Sequence, residues 1–301
     1  MTTSATTTTA PPVAPVRTKA VAPGGTHRKD RVLVAIGRHS LLIALGIMVL
    51  APLVFVGLTA FMTNEQALTS NLWPTSWHPE NFVEVFRKAP LLRYIGNTVL
   101  YAGLGTLFML LSSVPAAYAL ARMRWKGRNT TFLMVLCVMM LPPQVTIVPI
   151  YLLWSNVGLT GTLWPLVLPM LFGDAFSIFL LRQFLVTIPV EYTDAARVDG
   201  CSEWQVLRRV ILPMARPAVA AAAMFQFFYC WNDYYGPLIY TNHIQGNWTL
   251  SLGLATFRNL YQVQWNLVMA ATLVVLVPVL VVFFLAQKAF VQGVTMTGVK
   301  G

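Results

Sequence analysis

Residues 189–217, PVEYTDAARVDGCSEWQVLRRVILPMARP, are the longest polar island in a chain of long apolar blocks. The island predicts two short helices joined at a glycine. Pro189 suits a first helical turn, Ala195 and Ala196 favour helix, and Gly200 suits the left-handed residue that ends one. Ser202 followed by Gln205 predicts a capping box that starts the second helix, in which hydroxyl and amide each take up a free backbone group. Pro213, lacking a donor, should break it again. A charged helix-turn-helix between two apolar blocks has the chemistry of a docking element.

Composition gives it its setting. Of 301 residues 56% are hydrophobic and 10% charged, where soluble domains carry about 25% charged residues. The net charge of +11 does not indicate nucleic acid, because the positives sit in short segments beside apolar runs instead of on one basic face. Cys137, Cys201 and Cys230 show no paired spacing, and His27, His39, His78 and His243 are scattered, so neither a disulfide framework nor a metal site is expected. No phosphate-binding loop, G-x-S-x-G or H-E-x-x-H motif occurs, so no catalytic residue is assigned.

Working outward, residues 1–32 are Thr/Ala/Pro-rich and are expected to form a disordered tail. From 33 to 301 the chain is read as one transmembrane domain. Six apolar blocks follow, near Ser40–Phe61, Leu92–Ala121, Thr131–Trp154, Leu163–Phe184, Met214–Tyr240 and Asn266–Phe290. Each can cross a hydrocarbon core that takes roughly 20 helical residues. The second and fifth are long enough to tilt or to extend past the bilayer. The fold class is therefore all-α, a polytopic membrane protein with six transmembrane helices. With six spans, 17 of the 21 Lys and Arg fall on one side, and the positive-inside rule places both termini and the island in the cytoplasm. On the other side, the segment with Trp73 and Trp77 reads as an interfacial belt.

Acids inside apolar blocks are costly and usually face a cavity or partner, which singles out Asp174 and Asp233, each read either as lining a pathway or as sitting at a solvated helix end. Around Asp233 stand Gln226, Tyr229, Trp231 and Asn232, aromatic faces beside amides that suit a sugar ring. Gln144, after the Leu141-Pro142-Pro143 break, adds a polar group at depth.

The run Asp194-Ala195-Ala196-Arg197-Val198-Asp199-Gly200, then nine residues, then Val210-Ile211-Leu212-Pro213, resembles the E-A-A-x-x-x-G-(nine)-I-x-L-P loop of permease subunits in binding-protein-dependent ABC importers. Asp194 stands for the glutamate. Asn97-Thr98, MMLPPQVTIVPIY, NVGLTG, FSIFLLRQF, WNDYYGPLIY and VQGVTMTGVKG are similar to the carbohydrate-uptake branch, of the maltose (MalG-like) type. The resemblance implies the type I importer transmembrane fold, in a bacterial inner membrane, with a coupling loop at about 186–213. It implies as partners a homologous second permease, two ATPase subunits that bind ATP and Mg, and an extracytoplasmic solute-binding protein. This chain itself would carry no cofactor. Asp194, Ala195, Ala196, Asp199, Gly200, Leu212 and Pro213 would couple to the ATPase. Asn97, Gln144, Gln226, Tyr229, Trp231, Asn232 and Asp233 would line the solute route, for a sugar or sugar-like solute. The rival reading is an ion-coupled secondary carrier using Asp174 and Asp233.

Overall fold

The computed structural model describes residues 27–257 and 263–295; the region expected as a tail, 1–32, lies outside them up to residue 26, and the chain is helical from His27. The chain divides into two compact units, 1–53 and 54–301. The first holds most of α1 (His27–Ala60), whose apolar stretch from Leu33 is long enough to span a membrane.

In the second unit, Asn81 accounts for how α1 ends. Its buried amide donates to the Ala60 and Met62 carbonyls, both at 2.9 Å, which a terminating helix leaves without partners. Asn81 lies on α2 (Glu80–Lys88). The preceding loop folds around Gln66, which donates to the Trp73 carbonyl at 2.8 Å and accepts from Thr75. Trp73 and Trp77 stay exposed, edge to face at 6.2 Å.

Next comes α3 (Leu91–Arg122), which is continuous across its 32 residues. The third block is instead α4 (Arg128–Met139) and α5 (Pro143–Asn156), bent by 96° at the Pro142-Pro143 break. In the fourth block, a short turn (Trp164–Val167) and a 3-10 stretch (Leu168–Phe172) precede α6 (Ala175–Thr187). The island folds as α7 (Glu191–Val198) and α8 (Glu203–Met214).

The fifth block corrects the expectation of one overlong helix. It is α9 (Arg216–Asn232) followed, after a break at Asp233, by a short helix over Tyr235–Tyr240. At 1.5 Å per residue α9 is about 25 Å long, so the break falls near one edge of a hydrocarbon core. Helix α10 (Trp265–Thr295) completes the set. Among the described residues, four helices are long and apolar enough to cross a membrane alone, and up to six spans result if each bent pair is one.

Helix α3 is the spine. One hydrophobic cluster joins its Tyr94, Tyr101 and Ala102 to Trp231, Leu250, Leu267 and Ala271. A second joins its Met109, Ala117 and Tyr118 to Leu181, Phe184, Ala196, Val206, Ile211 and Ala222. Small residues on α9, among them Ala218, Ala221 and Ala222, let it approach closely.

Irregular backbone at membrane depth needs polar partners, and α3 supplies them. The Ser112 hydroxyl donates to the Met170 carbonyl at 2.8 Å, and Ser113 accepts from the Asp174 N–H at 3.1 Å. The Thr98 hydroxyl accepts from the Leu250 N–H at 2.8 Å.

Candidate functional site

The coupling loop is built from the inside out. Thr193 and Ala196 are the buried residues of α7, and Ala196 packs in the cluster with Tyr118, Val206 and Ile211. Gly200 has φ of +80°, and its Cβ position is open; glycine is there for the backbone, as the left-handed stop requires. Both bonds of the capping box are present, Ser202 N–H to Gln205 Oε1 at 2.8 Å and Gln205 N–H to Ser202 Oγ at 3.4 Å.

Pro213 does not break the helix where the sequence suggests. Residues Val206–Ile211 form a π-helical stretch, and α8 continues through Pro213 to Met214. The wider turn accommodates a ring that would clash with the carbonyl four residues back. The break falls at buried Ala215, where α8 and α9 meet at 82°.

A polar chain locks this loop to the end of α3. Arg197 donates to Asp194 Oδ1 at 3.0 Å and, through Nε and Nη2, to Glu203 at 2.8 and 3.3 Å. The Tyr118 hydroxyl donates to Glu203 Oε2 at 2.6 Å. The Arg197 guanidinium, with Tyr118 adding to it, holds the Glu203 carboxyl below its ordinary range. The sequence reading missed Arg197, Glu203 and Tyr118; the signal was an arginine with acids three residues before and six after it. Beside them, Arg122 donates to the Ile188 carbonyl.

The outer face of the loop is left open. Val198 is 87% exposed, Trp204 62% and Tyr192 51%, and Asp194, Ala195, Asp199 and Pro213 are exposed with them. Leu212 is half-buried. The predicted coupling residues thus split into an inward anchor, Ala196, and an outward face of apolar and acidic groups.

The residues expected along a solute route do not converge on one surface. Trp231 is buried and stacked on Phe227 at 5.5 Å, and Gln226 is buried with its amide nitrogen 3.3 Å from both Met170 Sδ and Cys230 Sγ. Gln226 and Trp231 thus lie within the packing of the chain itself. Tyr229 and Asn232 lie on the exposed side of α9, with Asn232 donating to its own helix at Phe228 O. Gln144 is exposed near the start of α5.

Asp233 stabilises the break after α9. It accepts from the Tyr101 hydroxyl at 2.9 Å and from the Gly236 N–H at 3.0 Å. A Cβ at Gly236 would collide with the Asp233 carboxylate and with Leu166, so the turn requires glycine. Asp174 likewise caps α6, accepting from the Ser177 N–H at 2.7 Å. Both acids of the carrier reading accept backbone N–H bonds, Asp174 as the cap of α6 and Asp233 across the break after α9. Asn97 donates to the Gly246 and Trp248 carbonyls, both at 2.9 Å, and lines a cavity of about 320 Å³ with Tyr101, Trp164 and Asn247. No three His, Cys, Asp or Glu side chains cluster to hold a metal among the described residues.

Residues 113–296 match the family described as binding-protein-dependent transport system inner membrane component. The chain is 33% identical over 255 residues to a probable ABC transporter permease protein, YurM, of Bacillus subtilis (strain 168), covering 83% of each. It is 33% identical over 229 residues to the arabinooligosaccharides transport system permease protein AraQ of Halalkalibacterium halodurans, covering 76% of this chain and 81% of that one. Over 270 residues it is 31% identical to the diacetylchitobiose uptake system permease protein NgcG of Streptomyces coelicolor, covering 88% and 89%. In fold it is similar to a chain of a bacterial ABC transporter involved in the import of the acidic polysaccharide alginate. There the TM-score is 0.76 and the identity 22%, over 89% of this chain and 100% of that one.

Proposed function

We propose, on the premise that this chain belongs to the family of binding-protein-dependent transport system inner membrane components, that it is half of an ATP-driven import route for a sugar or sugar-like solute. The names of its relatives, which transport arabinooligosaccharides and diacetylchitobiose, support the solute class. A second, homologous permease forms the other half. Two ATPase subunits bind ATP and Mg on the cytoplasmic side, and a solute-binding protein delivers from outside. That neighbours in fold include an alginate transporter in complex with its periplasmic protein supports this assembly. Both termini and the loop at about 186–213 lie in the cytoplasm, as the charge asymmetry suggests.

The observation that carries this reading is the two-faced loop, rigid within and open without. Closure of the ATPase dimer pulls the exposed face of α7, and the Tyr118–Glu203–Arg197 chain passes the displacement to α3 as a unit. The switch is then a rigid-body exchange between inward-facing and outward-facing arrangements. Tyr229 and Asn232, on the open side of α9, border the route against the second permease.

The test uses the reconstituted complex with its binding protein. Val198→Asp and Ala195→Trp, both on the open face, should cut binding-protein-stimulated ATPase and uptake at least tenfold, with the helicity of the chain unchanged. Wild-type rates in both variants would remove the coupling assignment. Uptake that survives loss of the ATPase subunits but collapses with an uncoupler would restore the ion-coupled carrier.

A further inference from the structure

A second polar site lies at the turn between α3 and α4. Arg124, Trp125, Gly127, Arg128, Asn129 and Thr130 line a cavity of about 470 Å³. The described residues hold four ion pairs, and none involves Arg124, Lys126, Arg128 or Arg182. Arg182 is turned inward, its guanidinium 3.8 Å above the Phe132 ring and its Nε donating to the Leu120 carbonyl at 3.2 Å. Arg128 spends one nitrogen on the Met123 carbonyl at 3.3 Å. Arg124 and Lys126 are exposed. The cavity is therefore lined by two guanidiniums, Arg124 and Arg128, with an amide and a hydroxyl, Lys126 lies beside it in the same turn, and among the described residues no carboxylate pairs with these cations.

We propose that this cavity binds the phosphate headgroup of an anionic phospholipid. The walls favour a lipid over a soluble phosphate. The turn joins the ends of two apolar helices, and Trp125, 42% exposed with its indole N–H on the Ala119 carbonyl at 3.2 Å, is placed as an interfacial anchor. Immediately along α4, Leu133, Met134 and Val138 are about 60% exposed, an apolar track for acyl chains running down from the cavity. Basic pockets at the ends of membrane helices recognise such headgroups by charge. Arginine adds planar, forked donors that match phosphate oxygens.

The experiment is native mass spectrometry of the full chain in detergent. The probes are dioleoyl-phosphatidylglycerol and dioleoyl-phosphatidylcholine, with inorganic phosphate as competitor. Arg124→Gln leaves the Arg128 bond intact, and Asn129→Asp brings a carboxylate to the rim without breaking a backbone contact. Each should lower phosphatidylglycerol retention about fivefold, the weight of one charge near a membrane surface. Phosphatidylcholine adducts should stay as in the wild type, and Arg87→Gln on α2 should change neither. Undiminished phosphatidylglycerol retention in both variants would overturn the proposal, as would an equal loss of phosphatidylcholine. Displacement of the lipid by inorganic phosphate would overturn the lipid as occupant and assign the cavity to a soluble anion.

Discussion

Replacing Arg197 with methionine keeps most of the side-chain bulk and removes three hydrogen bonds, two to Glu203 at 2.8 and 3.3 Å and one to Asp194 at 3.0 Å. A sheltered charge-assisted bond contributes about 1.5–3 kcal/mol, whereas exposed ion pairs contribute about 0–1. The Arg197 and Glu203 side chains are 34% and 40% exposed, so solvent screening brings the group to about 1–2 kcal/mol in total. That loss is local, because Ala196, Val206 and Ile211 still hold the loop to the core. Hydrogen exchange of the full chain should therefore speed up about 5–30-fold for the amides of α7 and the first turn of α8. The middle of α3 should exchange as before. A double-mutant cycle with Glu203→Gln should return a coupling of about 1 kcal/mol. Because Glu203 is held below its ordinary value of 4.5, its contribution is present above that pH and is lost as the pH falls through the depressed value. In Arg197→Met that acid-side loss should shrink. Unchanged exchange in 191–205, or acceleration spread evenly over α3 and α9, would refute the idea of a locked loop.

Gly200→Val should destabilise the loop by about 1–2 kcal/mol through its positive φ alone, since space around the site is open. Gly200→Asn, which tolerates that conformation better, should cost less, and thermal unfolding of the purified chain orders the two. Tyr101→Phe leaves the partly buried Asp233 with one donor fewer and should cost about 1–3 kcal/mol. The expected signature is faster exchange confined to the Asp233 break and Tyr235–Tyr240. Equal stability of Tyr101→Phe and the wild type would remove Tyr101 as the support of that break.

What the sequence made legible follows from the range of the interactions concerned. The glycine stop at Gly200 and the Ser202/Gln205 capping box depend on neighbours within a few residues, and both stand where the spacing puts them. The apolar blocks were equally plain, because lipid imposes a length on each. Breaks inside blocks were harder to place. Pro213 read as a stop, yet a π-helical turn carries α8 past it, whereas the fifth block does divide at Asp233, whose carbonyl lies four residues before the ring of Pro237, and the Tyr101 hydroxyl on another helix supports that break. Asn97, read as a lining residue from the resemblance, lines a cavity and also ties down a loop 149 residues later in the chain. Tyr118 and Glu203 are 85 residues apart, and no local pattern links them. Local chemistry was visible and long-range satisfaction was not.

The polar residues of α3 also set an order of events during synthesis. Asn97, Thr98, Tyr101 and Ser112 are all made before the groups they serve, by 58 residues for Ser112 and Met170 and by 149 for Asn97 and Gly246. At about 5–20 residues per second, the longer gap lasts roughly 7–30 s. Through that interval the Thr98 and Ser112 hydroxyls bond only to carbonyls of their own helix, Tyr94 and Phe108, while the Asn97 amide and the Tyr101 hydroxyl await partners made later. The last turns and loops of the chain thus complete a helix made near its beginning.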